Sequence, residues 1–465
     1  MKHNKMKTPI VLAVAILSVW LSTPARAQRQ WTLDECTDYA IAHNTDMKHL
    51  LNEQKQREIN AQASKDARLP RVSGDVSDYI STLHHSSGGT KFNANGALLN
   101  LGLAAAVPLY TGNRLSSQIQ ADKYALMAAG ENVRSAEKDL RVQVAAAYLQ
   151  VLYNKGDAAI ARQRQEVSLL LEKRARSLFE KGQRPESEVA ETSAMVSRDK
   201  ALLTAAEGNI AMAMLDLRLL LNMPDSVDFD ICDPSDALGS IPLLQSYSAY
   251  VQTTSTHPAV QSAQYAIQQA EQGVKNARSH YYPTLSLVGG LGTFWLNLNA
   301  EASQSGQIPV IAPWGLFKSF NINYHYGIES DWKWKNFFQA VVGLKLAVPI
   351  FNGFETRARI RSAKVRLEDA KVAYDDAQLT VHKKIRQAWQ QAVTARERYE
   401  AEVKAEQSSE LAYSYAQKRY EAGMATIFDL SQSRQQWFSA SENALRMKYE
   451  YLIRKRILEI LSRPY

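Results

Sequence analysis

The sequence predicts an internally duplicated α+β membrane protein, in which a long α-helical barrel runs on into a transmembrane β-barrel that one chain cannot close. Three observations predict it. Residues 354–422 form a stretch without glycine or proline, far beyond the usual globular helix of roughly 8–20 residues. A block of sequence recurs at a fixed offset of 241 residues. Segments of two-residue alternation precede each copy of that block, and such alternation reads as strands with one apolar face.

The long stretch carries Leu367, Ala370, Tyr374, Ala377, Val381, Ile385, Ala388, Ala392, Ala395 and Tyr399 at steps of three and four. That spacing averages about 3.5 residues per turn, the period of a left-handed supercoil. At about 1.5 Å per residue the rod is roughly 100 Å long. A stripe made mostly of alanine cannot stabilise it alone, so it lies along neighbouring helices.

Residues 1–27 read as a secretory signal: Lys2, Lys5 and Lys7 form the charged start, Ile10 to Leu21 the apolar run, and Ala25-Arg26-Ala27 the cleavage pattern. No cysteine sits at the junction after Ala27, where a lipid anchor would need one. The formal charge of +8 falls to +4 without this segment, because it holds four Lys/Arg and no Asp/Glu. So small an excess gives no reason to expect a nucleic-acid partner. The cluster Arg357, Arg359, Arg361, Lys364 and Arg366 reads as a solvated helix face. No later segment is apolar over the roughly 18 residues of a transmembrane helix.

The duplication places one copy over 28–242 and a second over 243–465. Leu103 to Gly112 reads LAAAVPLYTG and Leu344 to Gly353 reads LKLAVPIFNG, and the same offset carries Gly182 onto Gly423 and Glu188 onto Asp429. Copy one opens on the capping box Thr32-Leu33-Asp34-Glu35 and continues as helix to about Ala67. Strands follow at about 71–83 and 97–109. A long helix over 113–181 comes next, expected to be less regular because it contains Gly130 and Gly156, and then a return helix over 185–222. Copy two predicts helices over 243–256 and 258–281, strands at about 284–298 and 336–350, the long helix 354–422 and a return helix over 427–463.

In the strands, Leu99, Leu101, Leu103, Ala105 and Val107 share one face, and Phe338, Ala340, Val342, Leu344, Leu346 and Val348 share the matching face of copy two. Small and polar residues take the other side, as membrane β-barrel strands require. In 284–298 the phase slips around Gly289, Gly290 and Gly292, which predicts a bulge. Residues 84–96 read as a short polar loop, with His84-His85 a solvent pair rather than a metal site. Residues 299–335 read as a longer loop. Its Trp314, Phe317, Phe320, Tyr324, Tyr326, Trp332 and Trp334 form either an interfacial belt or a packed cap. Pro70, Pro108, Pro283 and Pro349 stand at the four strand–helix crossings, where proline turns the chain. Cys36 and Cys232 lack metal or redox spacing. They are either a disulfide pair or two small buried side chains.

Four strands cannot close a barrel, and an open edge is not viable in lipid, so several copies must share one barrel. The duplicated plan, the VPLYTG and VPIFNG passages, and the Gly-centred tips KGQRPESEV and AGMATIFDL closely resemble the outer-membrane efflux protein family, the TolC-like channel-tunnels. The resemblance implies a homotrimer with a 12-stranded barrel in the outer-membrane lipid of a Gram-negative bacterium and a periplasmic helical extension. It also implies docking to a periplasmic adaptor and an inner-membrane pump, with no cofactor. It further implies that Tyr420 helps hold the entrance closed and that Asp429 belongs to an acidic ring. The chain departs from the family at Ala425, where some members have a gating arginine, and at Gln432, where they have a second acid.

From the residues themselves, Gly182 and Gly423 end the two rods. Gly182, Gly423, Met424 and Ala425 are the expected adaptor contacts. Glu188 and Asp429 fall in the first turns of the returning helices, where the dipole favours an anion, and three chains would place six such acids around one opening. Arg184 is the charge expected to reach Asp429 or Tyr420 of a neighbouring helix. A periplasmic coiled-coil adaptor without a pore would explain the rods and the signal, but not four alternating strands. No nucleophile elbow, phosphate loop or HExxH motif supports an enzyme. The acid ring predicts that Asp429→Asn with Glu188→Gln weakens block by divalent cations in bilayer conductance. Unchanged block refutes it.

Overall fold

The computed structural model of the protein describes residues 30–463 except 88–89, 226, 228, 233–243, 245, 252–253, 302–305, 312–316 and 323–337. The signal segment lies outside the described residues, as do Trp314, Tyr324, Tyr326, Trp332 and Trp334. The elements of the first half are β1 (Gln30–Trp31), α1 (Leu33–His43), α2 (Thr45–Asp66), β2 (Arg71–Ser87), β3 (Thr90–Tyr110), α3 (Arg114–Glu180), α4 (Glu186–Leu221) and β4 (Asp230–Ile231). Those of the second half are α5 (Tyr247–Val251), α6 (Pro258–Ser279), β5 (Thr284–Glu301), β6 (Gly306–Ile311), β7 (Phe317–Ile322), β8 (Gln339–Ala347), α7 (Glu355–Glu421) and α8 (Ile427–Ser462). They form two units. One comprises Arg57–Leu126 and Ala266–Ala370, and the other comprises the segments ending at Gln56, Met127–Tyr265 and Lys371–Tyr465.

The first unit contains an antiparallel sheet ordered β2-β3-β5-β8. Its register joins the strands of both copies through β3 and β5. Val72 opposes Ala105, which opposes Gly289, which opposes Val342; one step along, Ser73, Ala104, Gly290 and Val341 align in the same way. Residues directly opposite share a face. One face therefore collects Val72, Val76, Leu103, Leu287, Leu291, Val342 and Leu344, all of them exposed. Arg71, Ser73, Asp75, Gly102, Gly290, Gln339 and Lys345 lie on the other. An exposed apolar face opposite a small and polar one is the pattern of a strand between lipid and a wet lumen. Among the described residues, β2 and β8 each pair on one side only.

Several expectations are corrected here. The residues read as a polar loop, 84–96, continue the hairpin, because β2 and β3 pair as far as Ser87 and Thr90. The backbone of His84 and His85 therefore lies within β2, opposite Asn93 and Phe92. Part of the 299–335 segment is likewise strand, since β6 pairs antiparallel with β7. No bulge interrupts β5 at its glycines; its pairing with β3 is regular through Gly289, Gly290 and Gly292. Glycine carries no side chain to mark a face, so a run of them imitates a slipped phase. The irregularity sits instead between Pro108 and Tyr110, where proline has no N–H to give the ladder.

Pro108 also lies within β3 rather than at its end. The turn into each rod is made by pairs in the left-handed conformation, Gly112 and Asn113 (φ 59° and 67°) and Gly353 and Phe354 (φ 60° and 64°). At Gly112 a Cβ would stand 2.6 Å from the Cβ of Tyr282, so both space and backbone require glycine. Phe354 has no such licence, since left-handed geometry is rare and costly for a bulky residue.

The two rods span 67 residues each. Gly130 and Gly156 do not interrupt α3. A Cβ at Gly156 would lie 3.0 Å from the Leu445 side chain, so that glycine admits a close neighbour from α8. Val381, Ile385, Ala388 and Ala392 of the rod stripe pack with Tyr250, Val260 and Leu458. A second core gathers Cys36, Ala40, Val144, Leu152, Leu217, Leu221 and Ile231. Each fully buried Leu or Val there contributes about 1.5–3 kcal/mol over its exposed form.

The first helical pattern divides at Asn44, whose Oδ1 accepts from the backbone N–H of Asp46 (2.9 Å) and whose Nδ2 donates to the Leu220 carbonyl (3.2 Å). Among the described residues, the helix read over 243–256 comprises the short α5 and a 3₁₀ turn at Thr254–Thr256. A feature without sequence signal is the parallel pair β1–β4, clamped by the Tyr148 hydroxyl donating to the Trp31 and Cys232 carbonyls at 3.1 and 2.6 Å. Cys36 and Cys232 do not form a disulfide. Burial, and secondarily Glu35, pushes the Cys36 thiol up to about 12.

His257 is buried, and burial followed by Lys138 and Lys384 lowers its pKa from 6.5 to about 4. The folded state thus binds fewer protons than the unfolded one, so stability falls as pH drops from 6.5 towards about 4. Thermal unfolding of the purified protein across that window should show this slope, and His257→Gln should flatten it.

Candidate functional site

Each rod ends in a glycine with φ near +70°, Gly182 at 70° and Gly423 at 74°. The bonds from the N–H groups of Gln183 and Met424 to the carbonyls of Leu178 and Arg419 (2.9 and 2.8 Å) close the helix ends in the Schellman pattern. A Cβ at either glycine would meet nothing within 4 Å. The requirement there is conformational, and it leaves the tips open. Met424 and Phe428 are exposed beside them, whereas Ala425 packs inward.

The return helices begin at equivalent positions but carry different N-caps. In α8 the N-cap is Thr426, which exchanges hydrogen bonds with Asp429, the third residue of the helix. In α4 the N-cap is Pro185, whose ring carries no hydrogen-bonding group and whose nitrogen has no N–H to donate. Glu188, the third residue of α4, has no capping partner and turns its carboxylate sideways. It accepts a hydrogen bond from the Tyr420 hydroxyl of α7 and lies 3.7 Å from the Arg184 guanidinium. Arg184 also sits over the Tyr420 ring, 5.2 Å from its centroid.

Glu188 and Tyr420 are only 5% and 4% exposed. Burial, followed by the hydrogen bond and charge of Glu188, pushes the Tyr420 hydroxyl up to about 12. Below them Met195, Ile427 and Leu430 form a small core with Leu171, Tyr413, Ala416 and Ala425. Beside them Arg174 binds the exposed Glu421 at 2.7 Å, and that bond holds Glu421 below the usual carboxylate range.

This geometry corrects the reading of Glu188 and Asp429 as equivalent acids of one ring. Glu188 is buried and engaged, while Asp429 is exposed, its carboxyl held low by its bonds to Thr426. Gln432 is exposed on the same helix. The partners of Arg184 are Glu188 and Tyr420 of its own chain, not Asp429 of a neighbouring helix.

Sequence reasoning missed a second cluster. Arg434 of α8 binds Asp199 of α4 at 2.7 Å, and Arg164 of α3 lies 3.2 Å from the same carboxylate and 3.0 Å from Glu442. Asp199 and Arg434 are 1% and 4% exposed. Both arginines lie over the Phe438 ring, at 5.7 and 5.9 Å. The legible signal was a charge inside each buried stripe: Asp199 follows Thr192 and Met195, and Arg434 follows Ile427 and Leu430, at steps of three and four. Breaking a buried pair from one side costs roughly 3–5 kcal/mol. Arg434→Met leaves Arg164 against Asp199 and should cost less than that in urea unfolding, whereas Asp199→Leu takes the shared carboxylate from both arginines and should cost more.

The tips and strands can be set beside known proteins. The family model described as outer membrane efflux protein matches residues 37–223 and 249–461. The chain is 23% identical over 372 residues to the outer membrane efflux protein BepC of Brucella suis biovar 1 (strain 1330), covering 80% of this chain and 72% of BepC. It is 24% identical over 324 residues to the alkaline protease secretion protein AprF of Pseudomonas aeruginosa, covering 69% of this chain and 61% of AprF. The Campylobacter jejuni CmeC outer membrane channel matches with a TM-score of 0.70 at 19% identity, over 92% of this chain and 85% of CmeC.

Proposed function

The chain belongs to the outer membrane efflux protein family, and we propose that its tips form a latched entrance held by the buried bond from Tyr420 to Glu188. The protein is an outer-membrane channel-tunnel with a periplasmic helical tunnel. It works as a homotrimer with a periplasmic adaptor and an inner-membrane pump. Family and fold are those of a channel, and the protein is a passive duct rather than a catalyst. In the trimer the two unpaired sheet edges of each chain meet their neighbours, and twelve strands close around the polar face.

The observation that supports the latch is the placement of its groups on different helices. Glu188 and Arg184 belong to the α3–α4 hairpin, and Tyr420 belongs to α7. Parting α7 from that hairpin breaks a hydrogen bond to a charged group, about 1.5–3 kcal/mol. It also removes a cation–π contact and the exposed Arg174–Glu421 pair, the latter worth about 1 kcal/mol or less. Three chains multiply this cost, so an adaptor opens the entrance only if it binds the parted state better by a comparable amount. Gly182, Gly423 and Met424 offer the exposed surface for that contact, and Asp429 supplies the exposed acid that attracts cations.

Tyr420→Phe keeps the ring and deletes the bond. In planar bilayers it should raise the open fraction of the full-length channel by about tenfold or more, since each chain loses one such bond. Glu188→Gln should have the same direction of effect. Asp429→Asn alone should weaken divalent block without raising the open fraction. A Tyr420→Phe channel with wild-type opening would overturn the latch.

A further inference from the structure

We propose that the groove between α3, α6 and α7, at the foot of the sheet, binds the phosphate headgroup of an anionic phospholipid from the periplasmic leaflet. The inference rests on the sheet lying in the outer membrane. The groove has a volume of 730 Å³ and is lined by Arg359, Arg366, His280, Gln118, Asn276 and Ser362 together with small residues, with no carboxylate in its wall. Asn276 already donates to Gln118 at 2.9 Å, which fixes two amides at the rim. Burial, then Arg359 and Arg114, lowers the His280 pKa and so disfavours its charged form.

The cations are in excess. Arg359 is paired with Glu355 on its own helix at 2.5 Å. Among the described residues, Arg357, Arg361, Lys364 and Arg366 have no carboxylate within ion-pair distance, and all four are exposed. Four unpaired charges thus fall within ten residues of α7. Immediately before them the chain exposes Ile350 (94%), Phe351 and Phe354, and the neighbouring crossings expose Tyr110, Tyr281 and Tyr282.

Aromatic residues at a membrane boundary followed by a polybasic turn are the combination that holds anionic lipid: the rings sit at the headgroup level and the cations neutralise phosphate. The apolar sheet face continues from Val348 through Leu346 and Leu344, giving acyl chains a path of matching polarity. Charge complementarity and this continuity select a phospholipid over a soluble anion or a second copy of the chain.

The test is native mass spectrometry of the full-length trimer in mixed micelles with phosphatidylglycerol or phosphatidylcholine of equal chain length. Phosphatidylglycerol should be retained about tenfold or more over phosphatidylcholine, and less so at high salt. Replacing Arg359 and Arg366, the two arginines of the groove wall, together by Gln should abolish the preference, and changing both to Lys should keep it. Bilayer conductance should stay at the wild-type value in both variants, which separates this outcome from a failure of the duct reading. Equal retention of the two lipids by the unmodified trimer would overturn the proposal. Displacement of phosphatidylglycerol by millimolar inorganic phosphate would do the same. So would equal loss of trimer in both lipids on the Gln changes, since the cations would then pair with a neighbouring copy.

Discussion

Unpaired backbone in lipid is the constraint on which the rest of the molecule depends. Among the described residues, the sheet β2-β3-β5-β8 leaves two edges open, and each N–H or C=O left without a partner in hydrocarbon costs several kcal/mol. A chain with this sheet has no stable monomeric form in a bilayer, so trimerisation is part of its folding. The duplication follows from the same requirement. Pairing β3 of one copy with β5 of the other makes a wall segment out of two hairpins, and each hairpin then continues into a rod of 67 residues. Polar faces of strands converge on one lumen only because the register is kept across that joint.

The two copies show how equivalent positions come to do different work. Glu188 and Asp429 stand 241 residues apart, both third in their helices. Threonine at one N-cap ties its acid into a local capping box and leaves it on the surface. Proline at the other sends its acid into the neighbouring helix. The same asymmetry appears at the strand–helix turns, where asparagine tolerates left-handed backbone in copy one and Phe354 is forced into it in copy two.

Much of the fold was legible because its largest parts obey simple periods. The stripe from Tyr374 to Ala395 and the alternation from Leu99 to Val107 each repeat often enough to overcome local noise. What escaped was set by single residues or by contacts between distant ones. Asn44 divides a helix through a bond to Leu220, 176 residues away, which no local pattern can announce. Pro108 was read as a boundary because its missing N–H usually ends a strand, yet an irregular ladder absorbs it. At the tips the glycines and acids were visible from spacing alone. The joining of Glu188 to Tyr420, and of Asp199 to Arg434, depends on which faces of α4, α7 and α8 meet, and two charges in a sequence carry no sign of their rotation.

The small β1–β4 pair has a consequence for the order in which the molecule is made. A secreted chain enters the periplasm from its amino end, so Gln30 and Trp31 arrive 200 residues before the Asp230 and Ile231 that receive them. Closing a loop of that length carries an entropy cost of about 5 kcal/mol, which two backbone pairs cannot offset by themselves. The α3–α4 hairpin must already be wound and Tyr148 in place before the leading residues find their seat. Copy one therefore completes itself last at its own beginning, and a translocation that stalls before residue 230 leaves that first strand without a partner.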